Sequence, residues 1–518
     1  MRSAALFLGA LGAVAALAQA CNGFPDVGQG RRLVVTVTKG DLGSPDNRLP
    51  ISVVATTPFT VDVQAQLPDG TVDTSFNGFV NISVQPGTVA DLNVRNVQLV
   101  NGAITGVVVP TVATFGDAHI WADDLGYEPA APNRPTPPAC SNGVDDNNNG
   151  LIDYPADPGC FAPVDDSEDL GSYASGASET LFFQLPRIPL VRGYDPANNG
   201  NGNATAFPST QVNIDTGWRG GTSYAFSTVV IGLTSAGFYA QDLQTDLSPA
   251  PGYNGIYAYN FSTPAFMRVC DRLQQLSGTA SDFYGFTELN YPTWQLEYWD
   301  PTVRPCLVPE PTGLGVCDLV NNNRLWQVEA TLVRVQSAGP VSVHVAGHFG
   351  PGDVPIVNGV YTPSVDQSNC DYDHNGKINF TDAGQIPSEN DCNTACMGTS
   401  ALAPTDFDCS EFSQFLAQND FELVVQDATS QSGACTGLTQ ARVQVTAAAA
   451  NSFNPVASRG QPIRAFTGLV SYFSGGSQFT VQARCDDDIV ADMSKQPLTS
   501  DRACVHPRTS SDINQNSQ

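Results

Sequence analysis

The stretch Phe59-Thr60-Val61-Asp62-Val63-Gln64-Ala65 alternates apolar and polar side chains, the two-residue period of a strand with one buried face. The turn signal Pro68-Asp69-Gly70 follows it directly. Short stretches of the same kind recur at 79–84, 97–100, 103–109 and 118–122. About seven short strands in about 100 residues predict an immunoglobulin-like β-sandwich over residues 31–130.

The composition of the chain agrees with a turn-rich β protein. Its 518 residues include 47 Gly and 37 Pro, and 41% of them are hydrophobic, which excludes a wholly disordered chain. Asp and Glu number 51 against 23 Lys and Arg, so the formal net charge is -28. A surface this acidic repels phosphate backbones at long range, so we expect no nucleic-acid partner.

The N-terminal residues 1–20 read as a secretory signal peptide. One Arg precedes an apolar run, and the segment ends in Ala18-Gln19-Ala20. A signal peptide that stops directly before Cys21 resembles that of a bacterial lipoprotein. The resemblance implies lipidation of Cys21 and attachment to the membrane, with the outer membrane of the cell envelope as the expected location. The usual lipobox leucine is one position early, at Leu17, and plain secretion is the alternative.

Cysteine spacing predicts disulfides in an oxidising compartment. Setting Cys21 aside leaves 12 of the 13 cysteines, an even number. We expect the local pairs Cys140–Cys160, Cys306–Cys317 and Cys485–Cys504, which leaves Cys270 and Cys435 for each other. Two further disulfides are expected among Cys370, Cys392, Cys396 and Cys409.

The residues from Asp371 to Asp382 match the EF-hand loop pattern D-x-[DN]-x-[DN]-G with an acid at position 12. Oxygens at alternate positions of such a loop point inward together, as Ca²⁺ requires. An Asp at position 12 resembles the dockerin form of the loop. The predicted calcium ligands are Asp371, Asp373, Asn375, the carbonyl of Lys377, Asn379 and Asp382. A polar turn without an ion is the alternative.

A second Asp/Asn-rich loop lies between Cys140 and Cys160. It resembles a cysteine-bracketed module of bacterial secreted proteins and, more loosely, thrombospondin type 3 calcium repeats. The predicted calcium ligands are Asp145, Asn147, Asn149, the carbonyl of Leu151 and Asp153. Position 12 is Ala156, and the next acid, Asp157, falls one residue later. A disulfide-closed Asx-turn knot without an ion is the alternative.

Residues 178–365 are again rich in strand patterns. The segments 229–242, 255–259 and 269–289 resemble the OB-fold domain of bacterial extracellular nucleases of the endonuclease/exonuclease/phosphatase class. The resemblance implies an OB-like β-barrel and a nucleic-acid groove formed by Tyr239, Tyr257, Tyr259, Arg268 and Arg272. No Lys or Arg lies between residues 232 and 266, so packing of these aromatics within the barrel is the favoured reading. The catalytic domain of those nucleases has no counterpart in this sequence.

We therefore expect a mainly β, multidomain protein: an immunoglobulin-like β-sandwich and an OB-like β-barrel region with an inserted calcium loop. The predicted segments are a signal peptide (1–20), the sandwich (31–130), the Asp/Asn loop (139–170), the OB-like domain (178–365), the EF-hand-like loop (366–410), a second β region (411–508) and a polar tail (509–518). The expected function is non-enzymatic: a calcium-binding lipoprotein that binds or scaffolds an unidentified surface ligand or protein. The alternative is a nuclease-related protein that binds single-stranded nucleic acid or assists a separate nuclease.

Overall fold

The computed structural model describes residues 30–125, 137–157, 159–160, 162–164, 168, 173–195, 201–347, 420–427, 429, 435–450, 452–453, 458, 461–473 and 478–506. The chain divides into two compact units, Met1–Leu185 and Pro186–Gln518. Strands dominate both, so the prediction of a mainly β, multidomain protein is confirmed. Among the described residues, no helix combines the length and apolar character needed to cross a bilayer.

The first unit contains two antiparallel sheets, ordered β1-β2-β6-β4 and β5-β3-β7-β8, with β9 also paired to β7. Its strands are β1 (Arg32–Lys39), β2 (Thr57–Gln66), β3 (Phe79–Gln85), β4 (Thr88–Val89), β5 (Asn96–Gln98), β6 (Ala103–Val112), β7 (Asp117–Asp124), β8 (Gly176–Ala177) and β9 (Leu181–Phe182). Its helical turns are α1 (Asp153–Ala156) and the 3₁₀ segments Leu92–Val94 and Ala139–Ser141.

The alternation seen in the sequence accounts for the core of this unit. Phe59, Val61 and Val63 of β2 are buried in one cluster with Val80 and Ile82 of β3, which belongs to the other sheet. The polar residues between them lie on the outer faces, as a period of two requires. Burying both inner faces against each other holds the two sheets together.

The first unit extends beyond the predicted boundary at residue 130. After β7 the chain passes through the Asp/Asn loop and then returns, because β8 and β9 both pair with β7. The Asp/Asn loop is therefore an insertion between two strands of the first unit. The sequence-based start of the next domain at residue 178 does not follow this pairing, since Leu181–Phe182 belongs to the first unit.

The second unit contains two larger sheets. Its strands are β10 (Thr210–Ile214), β11 (Thr228–Leu233), β12 (Gly237–Asp242), β13 (Gly255–Tyr259), β14 (Arg272–Phe283), β15 (Phe286–Glu297), β16 (Thr312–Gly313), β17 (Leu332–Gln336), β18 (Val341–Gly347), β19 (Asp420–Asp427), β20 (Gln440–Thr446), β21 (Ala465–Phe473), β22 (Gln478–Gln482) and β23 (Ile489–Val490). Its helices are α2 (Ile188–Val191), α3 (Val316–Leu319) and α4 (Asn322–Gln327), and Asp486–Asp488 forms a 3₁₀ turn.

One of these sheets closes on itself. Pairing runs β11-β12-β13-β15-β14 and returns to β11, and β10 adds to β14 outside the circuit. All neighbours are antiparallel except β13 and β15, which are parallel. The closing contact includes the bonds Val230 N to Asp271 O at 2.9 Å and Cys270 N to Val230 O at 3.0 Å. We call this circuit the closed sheet.

The other sheet has the order β16-β17-β21-β22-β20-β19-β18, with β23 paired to β21. It therefore takes strands from both sides of the interval 348–419, and the sequence-based division into 178–365 and 411–508 does not follow the sheets. Arg484 links this sheet to the closed sheet. Its guanidinium is buried against Asp488 and donates to the carbonyl of Ile231 at 3.0 Å.

Four disulfides are present among the described residues. Cys140–Cys160 and Cys485–Cys504 confirm two predicted pairs. The predictions Cys306–Cys317 and Cys270–Cys435 are wrong, because Cys270 pairs with Cys306 and Cys317 pairs with Cys435. Cys270 lies at the closing seam of the closed sheet, where the chain after β15 returns, whereas Cys317 lies in α3, whose Val316 and Leu319 belong to the core of the other sheet. Disulfides in this number are consistent with an extracellular or envelope protein.

Candidate calcium site

The loop closed by Cys140–Cys160 is built from Asx turns. Both carboxylate oxygens of Asp145 accept backbone N–H groups, from Asn149 at 3.1 Å and Gly150 at 2.8 Å. The side-chain oxygen of Asn149 accepts from the N–H of Leu151 at 2.8 Å. Gly150 has a φ of +88°, which only glycine adopts without strain. These bonds explain why Asp and Asn recur at every second position.

Three carboxylates converge inside this loop. Asp145, Asp157 and Glu168 each offer one oxygen, and the three oxygens lie within 4.8 Å of one another. Asp157 is 1% exposed and Glu168 is 2% exposed, while Asp145 is half-buried. We call these three residues the carboxylate cluster.

Two amide side chains border the carboxylate cluster. The Nδ2 atoms of Asn147 and Asn149 each lie 3.1 Å from Oδ2 of Asp157 and donate to it. Asn147 Nδ2 also donates to the backbone carbonyl of Glu168 at 2.6 Å. The predicted ligands Asn147 and Asn149 are therefore close to the cluster, with their amide groups turned toward an acid that the sequence pattern did not include.

Glu168 holds the loop together through its buried carboxylate. Its Oε2 accepts from the N–H of Asp146 at 2.6 Å, and its Oε1 accepts from the N–H of Asp153 at 3.1 Å. The backbone of Glu168 packs tightly as well, since a Cβ built at Gly159 would lie 1.7 Å from its carbonyl oxygen. Gly159 is therefore required for the approach of the two segments.

Asp153, a predicted calcium ligand, does not lie with the carboxylate cluster. Its two carboxylate oxygens accept from the N–H groups of Asn142 at 3.1 Å and Gly143 at 2.7 Å, at the start of the loop. Asp153 is not a member of the carboxylate cluster. The acid one residue past position 12, Asp157, is a member. Glu168, eight residues beyond Cys160, has no counterpart in the EF-hand pattern.

The carboxylate cluster has no cationic residue in its own segment, because residues 137–168 contain neither Lys nor Arg. Bringing three carboxylates together, two of them buried, costs free energy through mutual repulsion and lost hydration. Backbone and amide N–H groups offset part of that cost, and a bound cation would offset more of it. The atoms available are all oxygens, which suits Ca²⁺ better than a thiophilic metal.

No family model matches the chain, and searches of curated proteins and of solved structures found no match. The carboxylate cluster is therefore assigned as a candidate calcium site from its residues and their geometry. The predicted loop at 371–382 and the predicted lipidation site Cys21 both lie outside the described residues.

The predicted nucleic-acid tyrosines are distributed from the core to the surface. Tyr239 is buried and its ring lies 4.7 Å from that of Tyr257. The hydroxyl of Tyr257 is 2.9 Å from Oγ1 of Thr234, and burial raises the pKa of Tyr257. Tyr239 cannot stack on a base from solution, whereas Tyr259 is half-buried at the C-terminal end of β13.

The predicted nucleic-acid arginines have partners within the protein. Arg272 donates to Glu297 at 2.9 Å and its guanidinium lies 3.6 Å from the centre of the Tyr224 ring. Arg268 donates through Nη1 to the carbonyl of Met267 at 3.3 Å. Along β15, Arg272 pairs with Glu297 and Tyr259 pairs with Asn290, seven residues apart. That separation is about 23 Å, so the structure does not bring Arg272 and Tyr259 together.

Proposed function

We propose that this chain is a non-enzymatic, calcium-stabilised lipoprotein of the cell envelope that binds or scaffolds a surface partner. The observation that carries the calcium role is the convergence of Asp145, Asp157 and Glu168 within 4.8 Å. Export is supported by the N-terminal sequence and by the four disulfides of the described residues, whereas attachment to the membrane through Cys21 is supported by the N-terminal sequence alone.

The donor set fits calcium rather than zinc. Ca²⁺ takes six to eight oxygen ligands from carboxylates, carbonyls, amides and water. The carboxylate cluster supplies three acids, and backbone carbonyls and water would complete the coordination of an ion there. Cys140 and Cys160 are joined in a disulfide and therefore provide no thiolate.

An ion held by the carboxylate cluster would fasten three separate points of the insertion between β7 and β8. Asp145 and Asp157 lie on either side of α1, and Glu168 lies beyond Cys160. Because the unfolded chain does not hold these residues together, binding of calcium to the folded form would stabilise it. The ion and the Cys140–Cys160 disulfide would then restrain the same loop.

Calcium titration by calorimetry tests this role. We expect Glu168→Gln to remove one calcium equivalent, or to weaken that site at least tenfold, because it deletes a buried negative charge while keeping the side-chain shape. The matched control is Asp146→Asn in the same loop, because Asp146 is exposed and lies outside the carboxylate cluster. Identical stoichiometry and affinity in wild type and Glu168→Gln would contradict the proposal.

We infer finer fold assignments for both units. The closed sheet of five strands, with its single parallel pair, supports an OB-like barrel. Two antiparallel sheets around one core support an immunoglobulin-like arrangement in the first unit. Residues 31–130 contain no cysteine, so this arrangement would lack the inter-sheet disulfide of antibody domains.

The closed sheet is also the observation that favours the alternative function. An OB-like barrel is a common framework for binding single-stranded nucleic acid, with a basic groove and stacking aromatics. Against it stand the internal partners of Arg268 and Arg272 and their separation from Tyr259. The single-stranded DNA arm of the binding experiment below tests this alternative.

A further inference from the structure

Exposed aromatic side chains are concentrated on the closed sheet. Among the described residues, the aromatic side chains with more than half of their surface exposed are Phe261, Phe283, Tyr284 and Tyr291. Phe283 and Tyr284 form the hairpin tip between β14 and β15. Phe261 and Tyr291 lie away from this tip, two residues beyond β13 and within β15 respectively. An aromatic ring that is exposed to water does not contribute the stabilisation that its burial would provide.

Phe261 and Tyr291 form a continuous surface with Tyr259. The ring centres of Tyr259 and Phe261 are 4.6 Å apart, and those of Phe261 and Tyr291 are 5.4 Å apart. Phe261 is 61% exposed and Tyr291 is 69% exposed. We call these three residues the aromatic platform.

The backbone turns two of these side chains outward at a conformational cost. Tyr291 has a φ of +51° and Phe261 a φ of +60°, values that residues with a Cβ rarely adopt. Tyr291 also sits in a β-bulge, because Ser277 pairs with Thr293 and Thr279 pairs with Asn290. Two residues of β15 thus face one of β14, an arrangement that redirects a side chain. Tyr284 has the same two properties, with a φ of +49°, but it lies in a two-residue hairpin turn that requires this backbone. Phe261 and Tyr291 lie outside that turn, and strain with exposure at these side chains points to a use outside the fold.

The two segments that carry the aromatic platform contain no charged residue. Residues 253–266 and 289–296 contain no Asp, Glu, Lys, Arg or His, although the chain as a whole has a net charge of -28. Of the two acids that flank 289–296, Glu288 is buried and hydrogen-bonded to Asn290, and Glu297 is paired with Arg272. The polar side chains in these two segments are amides, hydroxyls and phenols, including those of Asn260, Ser262, Thr263, Asn290 and Thr293. Such groups donate and accept hydrogen bonds without favouring either charge.

We propose that the aromatic platform binds a neutral oligosaccharide. The rings offer flat apolar surfaces for the C–H face of a sugar, and the neighbouring amides and hydroxyls suit its hydroxyl groups. A polyanion would find no cation in either segment, and the adjoining carboxylate of Glu288 is buried away from a cationic ligand. This inference names a ligand class for the binding role proposed above, but it rests on residues outside the carboxylate cluster.

The test is affinity electrophoresis of the whole protein in gels that contain one polysaccharide each. The neutral panel is a β-1,3-glucan, a mixed-linkage β-glucan, a galactomannan and a dextran; polygalacturonate and a 20-nucleotide oligo-dT are the anionic probes. We expect retardation by at least one neutral polysaccharide. The dissociation constant should rise at least tenfold in Phe261→Ala and in Tyr291→Ala. Phe283→Ala, equally exposed on the same sheet, should stay within twofold of wild type.

Three results would overturn the proposal: no retardation by any neutral polysaccharide, equal weakening by Phe283→Ala, or binding confined to the anionic probes. Binding of oligo-dT that is lost in Tyr291→Ala would favour the nucleic-acid alternative. Tyr291→Gly, which relieves the positive φ, serves as a second variant if Tyr291→Ala folds poorly. Calcium stoichiometry measured on the same samples separates failure of this inference from failure of the calcium role.

Discussion

Tyr291 and Tyr259 belong to the same aromatic platform but have opposite backbone requirements. Tyr291 has a φ of +51°, whereas Tyr259 lies in the regular part of β13, paired with both β12 and β15. In the left-handed region, any residue with a Cβ is strained by roughly 1–2 kcal/mol. Within a regular strand, glycine is instead the less stable choice by roughly 0.5–1 kcal/mol relative to alanine.

The order of glycine and alanine variants should therefore reverse between these two positions. We expect Tyr291→Gly to be more stable than Tyr291→Ala by about 1 kcal/mol, because glycine removes the strain. At Tyr259 the alanine variant should be the more stable one, by about 0.5–1 kcal/mol. Denaturant unfolding of the four variants measures both differences. A Tyr291→Ala variant at least as stable as Tyr291→Gly would show that the bulge at Tyr291 imposes no strain.

For individual residues, the sequence predicted part of the candidate calcium site. The Asx pattern predicted that Asp145, Asn147 and Asn149 would come together, since each oxygen bonds a nearby N–H of the same loop. It could not identify Glu168, because the contact of Glu168 with the loop depends on how the chain folds back after Cys160. Glu168 reaches the loop at the N–H of Asp146, a bond that no local period encodes.

Strand β18 carries a buried titratable group, His344. Its side chain is largely excluded from solvent, and burial lowers the pKa of His344 because the charged imidazolium would lose hydration. The unfolded chain takes up a proton as the pH falls below about 6.5, while the folded chain resists it. Folding stability linked to His344 is therefore present above pH 6.5 and is lost on acidification.

We expect the unfolding free energy of the wild type to fall between pH 7.5 and pH 5.5 by a His344 contribution of at most about 1.4 kcal/mol. The variant His344→Gln should lack this contribution, so its stability should depend less on pH. His506→Gln, at an exposed position, is the control and should follow the wild type. Equal pH dependence in all three proteins would show that His344 accepts a proton in the folded state.

Strands were easier to predict from the sequence than the partners they pair with. Alternation identifies β2 or β20 because one face of each is buried and the other is not. Pairing is set by contacts far apart in the chain: Arg334 of β17 faces Thr467 of β21. The two wrong disulfide predictions have the same origin, since nearest-neighbour spacing paired Cys306 with Cys317 while the folded chain brings Cys306 to Cys270.

The whole chain consists of two compact units with separate cores, and the carboxylate cluster belongs to the first. Units with their own cores commonly unfold in separate transitions. Calcium bound at the carboxylate cluster should stabilise the unit that contains it, by an amount that grows with calcium concentration.

Calorimetry should accordingly resolve two unfolding transitions. We expect Glu168→Gln to abolish most of the calcium-dependent rise in one melting temperature and to leave the other within about 1 °C of wild type. Asp146→Asn again provides the control, with both transitions unchanged. A single transition, or equal shifts of two transitions in Glu168→Gln, would show that the units do not unfold independently.

The pairing of β18 with β19 has a consequence for how this chain could have been assembled. The two strands are antiparallel neighbours, with Val345 opposite Leu423, so Gly347 and Asp420 lie at the same end of the strand pair. The pairing of β18 with β19 therefore does not fix the number of residues in the 348–419 segment. This segment includes the EF-hand-like sequence. A gene encoding the sheet could gain, lose or exchange that segment as one block, and the entropic penalty of closing a longer connection grows only logarithmically with its length.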